Sequence, residues 1–368
     1  MPAISYPVLK CILEHIEANC RFSISARCPE ISRVEKNIPL LVERLDFIMR
    51  NRVGINDNSF YVSSKETERW YSDRMSDQPC TLQLCNFKSK FSAERNISTK
   101  YGAEAATRRI VEYLLGGRNK IRVKLFIVFN CGYQTMQYLF GICNVKVSAL
   151  KCSSIGLIKL NVLIENPLKE LHFVVNHPTD FENPIARTAE KIVITNYGYD
   201  GPNFWLSAHR NLPNKEVIID TYEHGFTDIK ILKLIEYWKE NHKAVGSSFS
   251  VCKGNGDSIE MFLENVKERF QGNYVKLKKT DTKTFFNVKA VSIKIDSESK
   301  IVVYGGRPYR LFPMSMKVVI KVMDIESSEE LSEPSEKSDF SIMLSSYSPL
   351  VVLNLFGLLI ALFFCLIH

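Results

Sequence analysis

The chain has no CxxC pair, no Cys/His cluster at zinc-ligand spacing, no P-loop lysine and no basic, signal-like start. Each absence removes a class of function. Its ten cysteines are scattered at positions 11, 20, 28, 80, 85, 131, 143, 152, 252 and 365. Several lie in apolar segments, where a reduced cysteine behaves as a small hydrophobe. The pattern is therefore one of free thiols in a reducing compartment rather than a disulfide framework or a metal site. The opening MPAISYPVLKCILEH lacks a basic n-region, and Lys10 interrupts its apolar stretch, which argues against a secretory signal. Asn96-Ile97-Ser98 is then a glycosylation acceptor in form only. The final Cys365-Leu366-Ile367-His368 has the C-a-a-X form without upstream basic residues, and His is an unusual last residue for prenylation.

Catalytic constellations are missing too. Gly254-Asn255-Gly256 precedes a helical run, the right context for phosphate. The third glycine of GxGxxG is replaced by Ile259, however, and no Lys-Ser/Thr follows, so a turn and helix cap account for it. His172 and His177 lie beside a strand without a carboxylate at useful spacing, and neither accompanies a GxSxG elbow. His209, His224 and His242 read as helix-end or loop residues, and Trp205 and Trp238 as core. The expectation is a non-enzymatic chain with no cofactor, no metal and no catalytic residue.

What is present begins at the other end. Leu350 to Ile367 (LVVLNLFGLLIALFFCLI) holds fourteen Leu, Val, Ile or Phe residues in eighteen. At roughly −0.3 to −0.6 kcal/mol each, these favour membrane insertion by about −4 to −8 kcal/mol, which Asn354 does not cancel. The run lacks the polar stripe of a core helix and spans about 27 Å, close to the hydrocarbon thickness. It predicts a transmembrane helix at 349–367, a single-pass carboxy-terminal anchor with the body in the cytosol.

Charge is uneven. Residues 324–339 (DIESSEELSEPSEKSD) carry seven acidic residues and one Lys, net −6, so the chain's +8 leaves +14 on the rest. The acidic, Ser-rich stretch has no apolar periodicity and predicts a disordered stalk over 324–345. The basic residues are spread along the chain, and no nucleic-acid-binding motif accompanies them, so nucleic acid is not the expected partner. A basic surface held near a bilayer also suits anionic lipid.

At the amino-terminal end, Pro7 suits a first helical turn, and Val8, Leu9, Ile12, Leu13 and Ile16 recur at helical spacing. This predicts a helix over 6–18, then a short segment from Arg21 to Cys28 stopped by Pro29. Residues 41–95 alternate weakly, with strands near 58–64 and 81–87. A helix over 100–115 ends at Gly116-Gly117, where glycine accepts a left-handed cap.

The middle of the chain repeats. An apolar-x-apolar pair recurs as Leu125/Ile127, Val147/Ala149, Leu171/Phe173, Ile192/Ile194, Val217/Ile219 and Phe249/Val251, with steps of 22, 24, 21, 25 and 32 residues. The first four steps fall within the period of leucine-rich repeats, and Asn130, Cys152 and Asn176 supply the Asn or Cys expected three residues on. Helices are expected between the strands at 133–142, 153–165, 184–190, 202–210 and 228–242, then at 257–270. Asp257 and Glu260 offer the last a capping box. The fold class this predicts is α/β, a divergent leucine-rich-like strand–helix solenoid with short amino-terminal helices and a carboxy-terminal β hairpin. The alternative is an ordinary α/β fold with evenly spaced strands. Phe126, Val128, Leu150, Val174, Val193 and Ile218 lie on the supposedly outward side of the strands yet are apolar. A sheet apolar on both sides is usually covered on both, so these six form a candidate face for another part of the chain or for a protein partner. Beyond 271, Phe286 to Ile295 and Lys300 to Tyr304 read as a hairpin around Asp296-Ser297-Glu298-Ser299, with a last strand at Lys317 to Val322.

The run Tyr6-Pro7-Val8-Leu9, Ile12-Leu13-Glu14-His15-Ile16 and Arg21-Phe22-Ser23-Ile24-Ser25-Ala26-Arg27-Cys28-Pro29 resembles the start of an F-box. More closely, SYPVLKCILEHIEANCRFSISARCPEISRVEKNIPL resembles the nematode-expanded F-box C proteins, over residues 1–323, with the "RCP…EKNIPL" part most specific. The resemblance implies an adaptor that docks on a Skp-type subunit of a cullin ubiquitin ligase and holds a protein substrate on the solenoid. Pro7, Leu9, Ile12 and Leu13 are its candidate docking residues. The implied organisation is an F-box-like segment at 1–40, a connecting region at 41–119, repeats at 120–270, a β region at 271–323, the stalk and the anchor. The competing expectation is a plain scaffold whose amino-terminal helices cap the solenoid.

Overall fold

A computed structural model describes residues 6–48, 51–64, 80–97, 102–129, 144–153, 167–197, 209–210, 212–220, 227–253, 256–276, 285–306 and 316–325. The fold is mixed α/β. Among the described residues no helix is long and apolar enough to cross a membrane. The expected anchor at 349–367 and all of the acidic stalk beyond Ile325 lie outside the described residues, as do the expected helix at 133–142, all but Ser153 of the one at 153–165 and most of the one at 202–210. The described chain divides into two compact units, residues 6–152 in one and 167–325 in the other.

The first unit opens with three helices, α1 (Tyr6–His15), α2 (Ala18–Arg27) and α3 (Pro29–Asn37). The single helix expected over 6–18 stops short at His15, because Glu17 starts a new one. Its carboxylate accepts from the amides of Asn19 at 2.8 Å and Cys20 at 3.2 Å, satisfying donors that a helix start leaves free. The second segment does stop before Pro29, with α2 ending at Arg27 and Cys28 capping it, and Pro29 opens a further helix. It occupies the first turn of α3, where its missing N–H is no loss.

A seven-stranded sheet follows: β1 (Leu40–Phe47), β2 (Arg52–Ile55), β3 (Asn58–Ser64), β4 (Cys80–Asn86), β5 (Phe91–Ile97), β6 (Ile121–Val128) and β7 (Val145–Ser153). Their order is β7-β6-β1-β2-β3-β4-β5. β1 runs parallel to β6, Leu40 beside Ile121 through Phe47 beside Val128, and β6 parallel to β7. The rest is an antiparallel meander. Parallel neighbours need a long crossover. Here it contains β2 to β5 and α4 (Gly102–Leu115), which packs on β2 and β3. α4 ends as expected, with Gly117 at φ +68°. Gly54 is where backbone must approach closely: a Cβ there would lie 2.3 Å from a carboxylate oxygen of buried Asp46.

The second unit holds β8 (Glu170–Val175), β9 (Lys191–Tyr197), β10 (Glu216–Ile219), β11 (Ser248–Lys253), β12 (Asn273–Lys276), β13 (Phe285–Lys294), β14 (Ser299–Gly306) and β15 (Met316–Asp324). β8 to β11 are parallel neighbours in chain order, and β15, β14, β13 and β12 continue the sheet antiparallel. All six apolar pairs of the repeat lie on strands, and the expected hairpin is β13–β14. Helix α5 (Pro184–Thr188) lies between β8 and β9, α6 (Asp228–Glu240) between β10 and β11, and α7 (Gly256–Phe270) after β11. α7 packs on β13, β14 and β15, with Ile259 against Gly305. The core here is partly aromatic. The His209 ring lies edge-on to Phe181 at 5.0 Å and to Phe249 at 5.6 Å, and Trp238 of α6 meets the same Phe249 at 6.5 Å.

Candidate docking surface

The helical period of α1 sorts its apolar residues in a way that residue type alone does not. Leu13 is 1% exposed and belongs to the core, and Leu9 and Ile16 are half-buried beside it. Val8 and Ile12, one turn apart, remain 51% and 44% exposed, and Tyr6 at the helix start is 57% exposed. Pro7 is exposed as well. Of the four expected docking residues, Pro7 and Ile12 are therefore accessible, Leu9 partly, and Leu13 not. The apolar stripe of α1 is wider than the surface the helix buries, and Leu13 is its one buried residue. Tyr6 and Val8 take its place on the outside. Hydrophobic periodicity could not have separated them from the core-facing residues, since Val8 and Ile12 share the stripe with Leu9 and Leu13.

What ties α2 and α3 to the end of α4 is a buried charge cluster. Arg21 of α2 is 1% exposed and Glu35 of α3 fully buried. The Arg21 Nε donates to Glu35 Oε1 at 2.8 Å, one terminal nitrogen donates to the Pro39 carbonyl at 2.9 Å, and the other to the carbonyls of Glu35 and Ile38 at 3.0 Å. Arg118, just past α4 and 5% exposed, donates from a terminal nitrogen to the same Glu35 oxygen and from Nε to the Leu114 carbonyl at 3.0 Å. Its guanidinium lies 5.1 Å over the Phe22 ring, a cation–π contact. Burial draws Arg21 below its ordinary pKa, and Glu35 opposes that pull. α2, α3 and the end of α4 thus meet around one shared carboxylate.

The second expected surface is not open. Phe126, Val128, Leu150, Val193 and Ile218 are 5% exposed or less, and Val174 is half-buried. In the first unit, Leu45, Phe126 and Leu150 lie level across three strands, with the Phe47 ring edge-on to Phe126 at 5.9 Å. These residues are core on the outward side of the strands, as the two-sided apolar pattern of a covered sheet requires.

His172 also departs from expectation, since a carboxylate does serve it. Its Nε2 lies 2.7 Å from Glu170 Oε1, two residues back on the same side of β8. Lys191 Nζ is 3.3 Å from Glu170 and 3.8 Å from Glu216 on neighbouring strands. The hydrogen bond from His172 dominates, against burial and with help from Lys191, in drawing the Glu170 carboxyl down to about 2. The group crosses β8, β9 and β10 as an ion-pair ladder; the Glu170–His172 pair is at i, i+2 on one strand, whereas Lys191 and Glu216 join it from neighbouring strands. Among the described residues no group of three or more His, Cys, Asp or Glu is placed to hold a metal ion.

Residues 103–252 match the family model of a domain of unknown function, DUF3557. Comparison with curated proteins and with solved structures finds no match. The matched segment starts in α4 and ends in β11. It contains Arg118 but neither Glu35, Arg21 nor β1.

Proposed function

We propose that the chain is a non-enzymatic protein-interaction module of the F-box C type: a substrate adaptor that docks a Skp-type ubiquitin-ligase subunit through α1 and is tethered to a membrane by residues 349–367. The observation that supports this most is the exposure of Tyr6, Val8 and Ile12. Three of the nine exposed large apolar side chains among the described residues fall on this one ten-residue helix. Single exposed apolar residues are ordinary on a soluble surface, and it is the pair Val8 and Ile12, about 40° apart around the helix, that supports a contact. Val8 and Ile12 at i and i+4 suit a helix received in an apolar groove. The chain-ordered parallel strands β8 to β11 fit a divergent leucine-rich-like solenoid that presents substrate.

Affinity purification of the full chain from membranes tests the adaptor reading. Wild type should bring down a Skp-type subunit, and Ile12→Asp should lose it with its melting curve unchanged. Leu13→Asp is the wrong variant, since it places a charge in the core. A wild-type chain that captures no such subunit overturns the adaptor reading. The second reading is a scaffold without a ligase role, favoured by the Arg21–Glu35–Arg118 cluster, which builds the helices into the first unit.

A further inference from the structure

We propose that the Arg21–Glu35–Arg118 cluster is a latch that makes α2, α3 and the sheet of the first unit one cooperative block. Helices joined to the sheet only by a flexible linker would open by themselves, whereas here the ties run in both directions. Arg21 uses three nitrogens to hold Glu35, the end of α3 and the turn into β1. Arg118 reaches Glu35 from 83 residues along the chain while capping α4 through the Leu114 carbonyl and covering Phe22.

The charge arithmetic makes the latch two-way. Two buried cations share one carboxylate, and the other oxygen of that carboxylate, Oε2, has no hydrogen-bond partner among the described residues. The attraction between charges, more than saturated hydrogen bonding, therefore holds the three together. With the carboxylate neutralised, two desolvated guanidinium groups face each other, and breaking a buried ion cluster at one member is strongly destabilising. Because one cation belongs to the helices and the other to the α4–β6 junction, the loss falls on both. The segment matched to DUF3557 therefore lacks part of its own fold support: Glu35 and Arg21, like β1, lie before residue 103. No functional reading enters this argument, and the latch stands whether or not α1 docks a partner.

Hydrogen exchange on the full chain, followed by mass spectrometry, tests it. In wild type, slow amides of α2 and α3 and those of β6 should converge on one opening free energy as denaturant is raised. Glu35→Gln should lower protection in 18–37 and 121–128 together, by about a hundred-fold or more. Should that variant fail to fold, Arg118→Lys keeps the charge but loses the fork geometry, and should give a smaller loss, again in both segments. Lys124→Ala removes only the exposed ion pair with Glu43 and should change neither. The latch is overturned if residues 18–37 lose protection while 121–128 keep theirs, if wild type shows two separate opening free energies, or if Glu35→Gln leaves both segments as protected as before.

Discussion

Ile12 and Leu13 are neighbours on one helix with opposite fates, 44% and 1% exposed. Leu13→Ala should lower stability by about 2–5 kcal/mol in a denaturant titration, the usual loss for a buried leucine, while Ile12→Ala should stay within about 0.5 kcal/mol. A second residue-scale prediction concerns His209, which is 3% exposed between Phe181 and Phe249. Burial pulls its pKa from 6.5 to about 3. As pH falls below 6.5, the unfolded chain takes up a proton that the folded chain refuses, so stability drops progressively until about pH 3. By pH 5 the loss is about 2 kcal/mol. His209→Phe should remove that part of the slope between pH 7 and 5; an unchanged slope would contradict the assignment. Residue type marked Ile12 and Leu13 alike as apolar but could not say which faces inward. It also read His209 as a helix-end or loop residue, and it gave no sign that Arg21, Glu35 and Arg118 meet, since charged residues far apart in sequence normally belong to solvated surfaces.

At the scale of elements, local chemistry was legible where punctuation is unambiguous. Glycine at the end of α4 was expected to take the left-handed cap, and Gly117 does, at φ +68°. Gly117→Ala should accordingly cost about 1 kcal/mol of stability, read as a lower denaturation midpoint, because an L residue pays a steric penalty in that region. Proline was ambiguous. Pro29 was expected as a stop, and α2 does end just before it, but the structure also shows it beginning α3. β1 escaped notice because its sequence, LLVERLDF, does not alternate: its buried residues are Leu40, Val42, Leu45, Asp46 and Phe47. Burial of this kind follows from pairing with β6 and covering on both sides, which no window of eight residues contains.

For the whole molecule, the six-fold strand period was legible, since every apolar pair lies on a strand, and parallel order holds from β8 to β11. Of the antiparallel parts, the β13–β14 hairpin and the strands β3, β4 and β15 were legible from their local pattern, whereas β2, β5, β12 and the pairing of β15 with β11 were not, because these strands carry no repeat. The acidic stretch and apolar tail bear on location. Truncation before Ser345 should move the protein from the membrane fraction to the soluble one; retention on membranes would contradict the anchor. The central claim is that α1 is a docking helix. Calorimetric titration of a purified Skp-type subunit into the full chain tests it most directly. Saturable one-to-one binding that Ile12→Asp abolishes without lowering the melting temperature is the predicted result, and no binding heat with correctly folded wild type would contradict it.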